Sequence, residues 1–237
     1  MKGTLFCEGK DVEVSEESVE NGGSWRMHQN GTVRAFNWQV LDFFYSRLVE
    51  SPNQNYIDVG ANTGAFTLLA AHVPNAQVLA LEPNGRVRNI LLDNISRNHL
   101  EERVEVLPCA AWSTTKKLTF YPYPGQHGYS RVEHRFTQGG EGEPYEVDGV
   151  CLEDACCSWG YVPSLIKIDV EGAELHVLEG ALGVLRSNPG IMMEWWAPHC
   201  EHFGYHPRKI DEMLEGLGYR KEQVTEGFAY YWPEKEA

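Results

Sequence analysis

The sequence predicts a doubly wound, mostly parallel α/β sheet, and three observations carry that expectation. Short apolar runs alternate with longer amphipathic segments from residue 56 onward, a glycine-bearing turn closes the first such run, and the last residues switch to two neighbouring strand-like runs. The apolar share, 42% of 237 residues, suffices for a sizeable core.

Taken in order, the first 35 residues read as an extension of short strands and turns. Ala35–Val49 reads as a helix, because Phe36, Val40, Leu41, Phe44, Leu48 and Val49 fall on one face. Strand Tyr56–Val59, helix Thr63–Val73, strand Val78–Leu81, helix Arg86–Asn98 and strand Val104–Leu107 follow. Such a succession specifies parallel strands joined by right-handed crossovers. Strand Leu165–Ile168, helix Ala173–Leu185 and strand Ile191–Trp195 continue it, and helix Ile210–Leu217 leads to a closing antiparallel hairpin of Tyr219–Gln223 and Phe228–Trp232. Glu141–Val150 interrupts the alternation. Tyr121–Pro144, rich in Gly, Pro and aromatic residues, reads as a lid or acceptor-binding loop, with a surface insertion as the alternative. No repeat or linker divides the chain, so residues 1–237 are expected to form a single domain with residues 36–237 as its core.

Charge and composition exclude several classes. A formal net charge of −14 and no Lys/Arg cluster longer than two residues argue against nucleic acid as partner. No stretch approaches the roughly 20 apolar residues of a bilayer span, and Met1–Val14 lacks a signal-peptide core, so no membrane partner and a cytoplasmic location are expected. The six cysteines, at positions 7, 109, 151, 156, 157 and 200, lack the spacing of a zinc ribbon or a disulfide framework and read as reduced thiols. A homo-oligomer stays open.

The sharpest local signal is Tyr56-Ile57-Asp58-Val59-Gly60-Ala61-Asn62-Thr63-Gly64, a strand entering a turn and then a helix. Gly60 and Gly64 let the backbone turn tightly and approach a ligand. Asn62 stands where a dinucleotide fingerprint would place its second glycine, which weakens that reading. Asp58 offers a carboxylate to the ammonium of an amino-acid moiety, and the N–H groups at the helix start suit its carboxylate; together they point to S-adenosylmethionine. Glu82, before Pro83 and about 20 residues beyond the turn, has the spacing at which an acid reaches ribose hydroxyls. After the next strand, Ala110 and Ala111 are small enough to lie beside adenine, and Trp112 either covers it or packs in the core.

Two later strand ends carry the candidate acceptor chemistry. Asp169 follows Leu165–Ile168 at the carboxyl edge of the sheet, where it would touch the donor and orient an acceptor hydroxyl while taking its proton. Glu171 is a candidate substrate contact, although it and Glu174 could simply meet the dipole of the following helix. Glu194 ends the next apolar run as a second catalytic candidate, Trp195 and Trp196 would line the acceptor pocket, and His199 could act as base through an ordinary near-neutral pKa. His199, Cys200, His202 and His206 could join Asp169 and Glu194 around a metal, but the spacing is not diagnostic and no metal is expected.

In the Asp58–Gly64 turn, in Leu81-Glu82-Pro83 and above all in Ile166-Lys167-Ile168-Asp169-Val170-Glu171-Gly172-Ala173-Glu174, the chain resembles the FkbM family of S-adenosylmethionine-dependent methyltransferases, approximately from Phe36 to Tyr219. The resemblance implies a Rossmann-type, class I methyltransferase fold with a seven-stranded sheet ending in an antiparallel hairpin. It also implies O-methylation of a small hydroxylated acceptor such as a sugar or a polyketide-type natural product. Cys151-Leu152-Glu153-Asp154 departs from the Leu-Asp-Asp that the family tends to carry there. Two other readings stand beside it: N-methylation of an amine or peptide, which negative charge would favour, and a catalytically inactive module that only binds the donor.

Overall fold

A computed structural model describes residues 2–5, 10–20, 24–27, 33–35, 37–123, 130–133 and 142–234. The first segment contains strands β1 (Lys2–Leu5) and β2 (Lys10–Glu13), a short helix α1 (Glu16–Glu20), and strands β3 (Trp25–Met27) and β4 (Val33–Ala35). These form a four-stranded sheet in the order β2-β1-β4-β3. Ala35 therefore ends a strand, paired with Trp25, and helix α2 (Trp38–Glu50) begins later than its apolar spacing suggested. Phe36 lies outside the described residues.

Next come strand β5 (Tyr56–Val59), helix α3 (Ala65–Ala71), strand β6 (Val78–Leu81), helix α4 (Gly85–Arg97) and strand β7 (Val104–Leu107). The three strands have the bounds their apolar runs predict. Helix α3 starts two residues after the predicted Thr63 because Gly64, at its N-cap, holds φ +96°, a left-handed conformation incompatible with a helical turn. A Cβ there would also lie 2.5 Å from Leu91 Cδ1, so this glycine lets α4 pack closely against the turn. Asn84 caps α4, its Oδ1 accepting from the Arg86 N–H at 3.1 Å.

Beyond Pro108 the chain leaves the main sheet. Strands β8 (Cys109–Ala111), β9 (Lys116–Tyr121), β10 (Arg131–Val132) and β11 (Tyr145–Val150) build a second four-stranded sheet in the order β10-β9-β11-β8. This is the interruption seen in the sequence, and part of the expected lid is sheet rather than loop. Residues 124–129 and 134–141 of that lid lie outside the described residues.

Helix α5 (Leu152–Trp159), strand β12 (Leu165–Ile168), helices α6 (Glu174–Glu179) and α7 (Leu182–Leu185), strand β13 (Gly190–Glu194), helices α8 (Ala197–His202) and α9 (Arg208–Gly216), and strands β14 (Tyr219–Thr225) and β15 (Phe228–Pro233) complete the chain. The single helix expected over Ala173–Leu185 is broken at Gly180, whose carbonyl turns to accept from the Glu153 N–H at the start of α5. Helix α8, which begins with a proline in its first turn, carries His199, Cys200 and His202.

The main sheet is seven-stranded, in the order β14-β15-β13-β12-β5-β6-β7. Five neighbouring strands run parallel, and β15 is antiparallel to both β13 and β14, which gives the terminal hairpin. Chain order reverses between β5 and β12, so their carboxyl ends flank a crevice, the place where open α/β sheets bind ligands. On one face Tyr56, Val78, Leu165 and Met192 pack with Phe44 and Leu48 of α2, Leu68 of α3 and Val14 and Trp25 of the amino-terminal segment. On the other, Ile57, Leu79, Ile166 and Ile191 meet Leu152, Leu178 and Leu214. Each such aliphatic side chain stabilises the fold by roughly 1.5–3 kcal/mol, which is why the central strands tolerate so few polar residues. No helix among the described residues is long and apolar enough to cross a membrane.

Candidate active site

Parallel register places the polar exceptions side by side. Asp58 of β5 pairs with Lys167 of β12, which pairs with Met192 of β13, all on the α2/α3 face. One residue beyond the strand ends come Glu82, Gly60, Asp169 and, at the end of β13, Glu194, so the next row of the sheet is almost entirely acidic. These residues lie at a cavity of about 390 Å³, within the size range of small-molecule sites.

Lys167 is the cation beneath this row. The residue is 2% exposed, and its ammonium donates to the Gly60 carbonyl at 2.7 Å and stands 3.3 Å from Asp58 and 3.4 Å from Asp169. Burial alone would lower its pKa, but Asp169 and Asp58 outweigh that and hold it above the ordinary lysine value. Asp58 is fully buried, accepts from the Thr67 hydroxyl at 2.6 Å, and does not line the cavity. Asp58, expected at the donor ammonium, is placed by the structure in an internal ion pair that ties β5 to β12. Gly64 is likewise absent from the lining; its role is the close approach of Leu91.

The other residues expected at the donor, Gly60, Asn62, Glu82, Pro83, Ala110, Ala111 and Asp169, all line the cavity. Asn62 adopts φ +53°, a left-handed conformation that Asn tolerates better than most residues, and its N–H donates to Glu82 Oε2 at 2.9 Å. Glu82 Oε1 accepts from the Asn84 N–H at 2.8 Å. Burial pushes the Glu82 carboxyl up to about 7 despite these two donors. Trp112 does not line the cavity; it stacks on His176 at 4.3 Å, in the core.

At the acceptor end the lining includes Asp169, Glu171, Glu194, Trp195, Trp196 and His199. Gly172, at φ +108°, makes that assembly possible: a Cβ there would lie 2.5 Å from the His199 carbonyl, so only glycine lets α8 close onto the turn after β12. Glu174 ties the same turn, accepting from the Gly172 N–H at 3.0 Å and standing 3.1 Å from the Tyr205 hydroxyl. Its carboxyl is raised to about 7, mainly by burial. His199 Nδ1 lies 2.9 Å from Glu171 Oε2. Burial and then Arg131 push His199 down to about 4, so the near-neutral titration expected for a histidine base is not found. Burial, and next the charge of Asp169, raise both Glu171 and Glu194 well above the carboxylate range, and Glu194 hydrogen-bonds Asp169.

The carboxylates of Asp169, Glu171 and Glu194 lie within 4.8 Å of one another, a spacing three metal ligands also show. Here Lys167 meets Asp169, Glu194 hydrogen-bonds Asp169, and Glu171 meets His199. Cys200, His202 and His206, weighed as ligands from sequence, do not line the cavity. Sequence reasoning assigned no role to Lys167 or Arg131, both of which do. A lysine within the apolar run Leu165–Ile168 was the available signal, because a fully buried ammonium demands a buried acid.

The site fits an adenosyl amino-acid donor through its chemistry. Glu82 offers acceptor oxygens, the Gly60–Asn62 turn brings backbone close to the cavity, and Ala110 and Ala111 leave a flat wall. Fold and site thus define a methyltransferase that uses S-adenosylmethionine. The chain belongs to the FkbM family: residues 58–221 match the methyltransferase FkbM domain. It is 28% identical over 220 residues to methyltransferase sdnD of Sordaria araneosa, covering 77% of this chain and 79% of that one. It is also 28% identical over 159 residues to the hexuronic acid methyltransferase AglP of Haloferax volcanii, covering 66% of this chain and 59% of that one. A crystal structure of a methyltransferase FkbM from Methylobacillus flagellatus superposes with a TM-score of 0.50 at 18% identity, over 82% of this chain and 53% of that longer one, a likeness of fold alone.

Proposed function

We propose that the chain transfers a methyl group to a hydroxyl oxygen of a small molecule, a sugar or a polyketide-type natural product. The observation that carries this reading is the acidic row at the strand ends, with Glu82 on one side of the crevice and Asp169 and Glu194 on the other. Bound S-adenosylmethionine supplies an electrophilic methyl on a positively charged sulfur. Glu82 accepts from its ribose hydroxyls, Gly60, Asn62 and Pro83 shape the surrounding turn, and Ala110 and Ala111 flank the base. Asp169, held by Lys167, orients the acceptor hydroxyl and takes its proton as the oxygen attacks. Glu194, in its protonated form, fixes Asp169 by a hydrogen bond, and Glu171, His199, Trp195 and Trp196 shape the acceptor pocket. His199, neutral at physiological pH, serves as a contact rather than the base.

The name of the Haloferax volcanii relative supports a sugar-type acceptor. The described residues act as one catalytic unit in this reading, since the amino-terminal segment shares a buried cluster with α2 and α3 and Ser24 reaches the cavity. We place the reaction in the cytoplasm, a setting that suits the free thiols of Cys109, Cys151 and Cys157. Incubation with methyl-deuterated S-adenosylmethionine and matched panels of hydroxylated compounds and amines, followed by mass spectrometry of the products, tests the chemistry. Label on oxygen is expected; label found on nitrogen alone would replace this reading with N-methylation, to which an acidic pocket also lends itself.

A further inference from the structure

From Gly60 to Gly64 the glycine turn has no backbone donor left for a ligand carboxylate. The N–H groups of Gly60 and Ala61 both donate to the Leu81 carbonyl, at 3.0 and 3.1 Å, and that of Gly64 donates to the Ala61 carbonyl at 3.0 Å. The Asn62 N–H donates to Glu82 Oε2 at 2.9 Å, and the Thr63 N–H to Asn62 Oδ1 at 2.7 Å. The Gly60 carbonyl accepts from Lys167, and the Asp58 carboxylate meets Lys167 and the Thr67 hydroxyl. Both kinds of partner that the sequence offers to an amino-acid group, the Asp58 carboxylate and the N–H groups of the turn, are thus engaged inside the protein.

Two polar side chains reach the same cavity from ahead of the main sheet: Ser24, just before β3, and Asn37, at the N-cap of α2. Ser24 is fixed at the glycine turn, where its N–H donates to Thr63 Oγ1 at 3.2 Å, a bond that does not use the hydroxyl. Asparagine is among the best N-cap residues, yet the Asn37 side chain makes no capping hydrogen bond. Among the described residues neither the Ser24 hydroxyl nor the Asn37 amide has a hydrogen-bond partner. Leu41, one helical turn beyond Asn37, lines the same cavity and adds an apolar surface. A hydroxyl and an amide each donate and accept, so together they suit a zwitterion, whereas a lysine or arginine in their place would oppose the positive sulfur of the donor. We propose that Ser24 and Asn37 hold the amino-acid end of S-adenosylmethionine, so that the amino-terminal segment is a working part of the donor site. This holds whether the methyl group goes to oxygen or to nitrogen, because it concerns the donor alone.

The test is calorimetric titration with S-adenosylhomocysteine and with 5′-methylthioadenosine, which keeps the nucleoside and the sulfur but lacks the amino-acid group. Wild-type protein is expected to bind S-adenosylhomocysteine more tightly by about tenfold or more. Ser24→Ala and Asn37→Ala should each weaken S-adenosylhomocysteine by about 5–50-fold, and the double variant by more, while 5′-methylthioadenosine affinity changes by less than about twofold. Retained binding of 5′-methylthioadenosine also shows that the variants fold, and Asn37→Gly removes the same amide with a residue that the N-cap accepts well. Equal affinity of the wild type for the two ligands overturns the proposal. So does an equal loss of both ligands in the variants, or undiminished S-adenosylhomocysteine binding in the double variant. Wild-type protein that binds neither ligand would overturn it together with the donor itself, whereas methyl label found on nitrogen in the product assay would end the O-methylation reading and leave this one intact.

Discussion

On the donor side of the cavity, Gly60–Asn62 and Glu82–Pro83 follow directly on main-sheet strands, and Ala110 and Ala111 lie in β8, just after β7. On the acceptor side, Phe120 and Arg131 come from the second sheet, Trp196 and His199 from the start of α8, and Gly227 from the hairpin turn. Apart from Ala110 and Ala111, the donor residues are thus placed by backbone register within one hydrogen-bonded ladder; Asp169 and Glu194 share that ladder, whereas the remaining acceptor residues are placed by the docking of separate elements. A register can shift only by whole residues and reverses every side chain when it does, so the first half is rigidly specified. Packed loops and short helices vary far more cheaply, which suits the half that must choose a substrate.

The comparison can be broken at the ion pair beneath the donor side. Lys167→Met leaves Asp58 buried with no cation in contact and only the Thr67 and Tyr56 hydroxyls beside it, and the loss of one member of a buried pair should destabilise the fold by about 3–5 kcal/mol. Urea denaturation should show a lowered midpoint; an unchanged one would mean that register holds the crevice without this pair. Asp169→Asn acts where the halves meet. Turnover should fall by about 10²–10⁴-fold while S-adenosylhomocysteine affinity changes far less, and preserved turnover would remove the proposed base.

Glu82 offers a milder and more informative handle. Its folded carboxyl lies at about 7 against the ordinary 4.5, so the folded protein holds a proton that the unfolded chain gives up. The contribution is complete below about 4.5 and is lost as pH rises through about 7. Glu174 adds a slope in the same window, so the diagnostic quantity is the difference between wild type and Glu82→Gln, measured as unfolding free energy across that range. Ribose hydroxyls donate best to the ionised form, so S-adenosylhomocysteine affinity should rise through neutral pH in the wild type. In Glu82→Gln it should be about 10–100-fold weaker and nearly flat, and a wild-type titration without that rise would dissociate Glu82 from the ribose. The smallest effect is expected at the acceptor mouth. Trp196, 58% exposed, should on replacement by Ala raise acceptor KM a few-fold with stability unchanged within about 0.5 kcal/mol, whereas a marked loss of stability would give it a structural role.

Legibility in the sequence follows the same division. The bounds of β5, β6, β7 and β12 could be read because each is a short apolar run closed by a turn, a charge or a proline. The glycine turn and Glu82 followed from their spacing. The second sheet was not readable, because β9 and β11 are half-exposed, each pairs with a partner distant in sequence, and β8 looks like the tail of β7. Arg131 was hidden in a glycine- and proline-rich stretch that has no period of its own. The partnership of Asp58 with Lys167 was written in two strand runs, but only their register turns two isolated polar residues into neighbours. From the sequence alone, Asp58 therefore points to a ligand, and the pairing with Lys167 is visible only in the fold.

Asn94 on α4 has a further implication for engineering. Its Oδ1 accepts from the Ser15 N–H, and its Nδ2 donates to the Ser18 hydroxyl and to the Thr63 carbonyl of the glycine turn, each at 2.8 Å. One amide therefore clamps the leading segment to the loop over which the cosubstrate is expected to lie. Chimaeras that exchange leading segments between relatives must carry a matching amide at this helix position, or the transplanted piece arrives without its fastening.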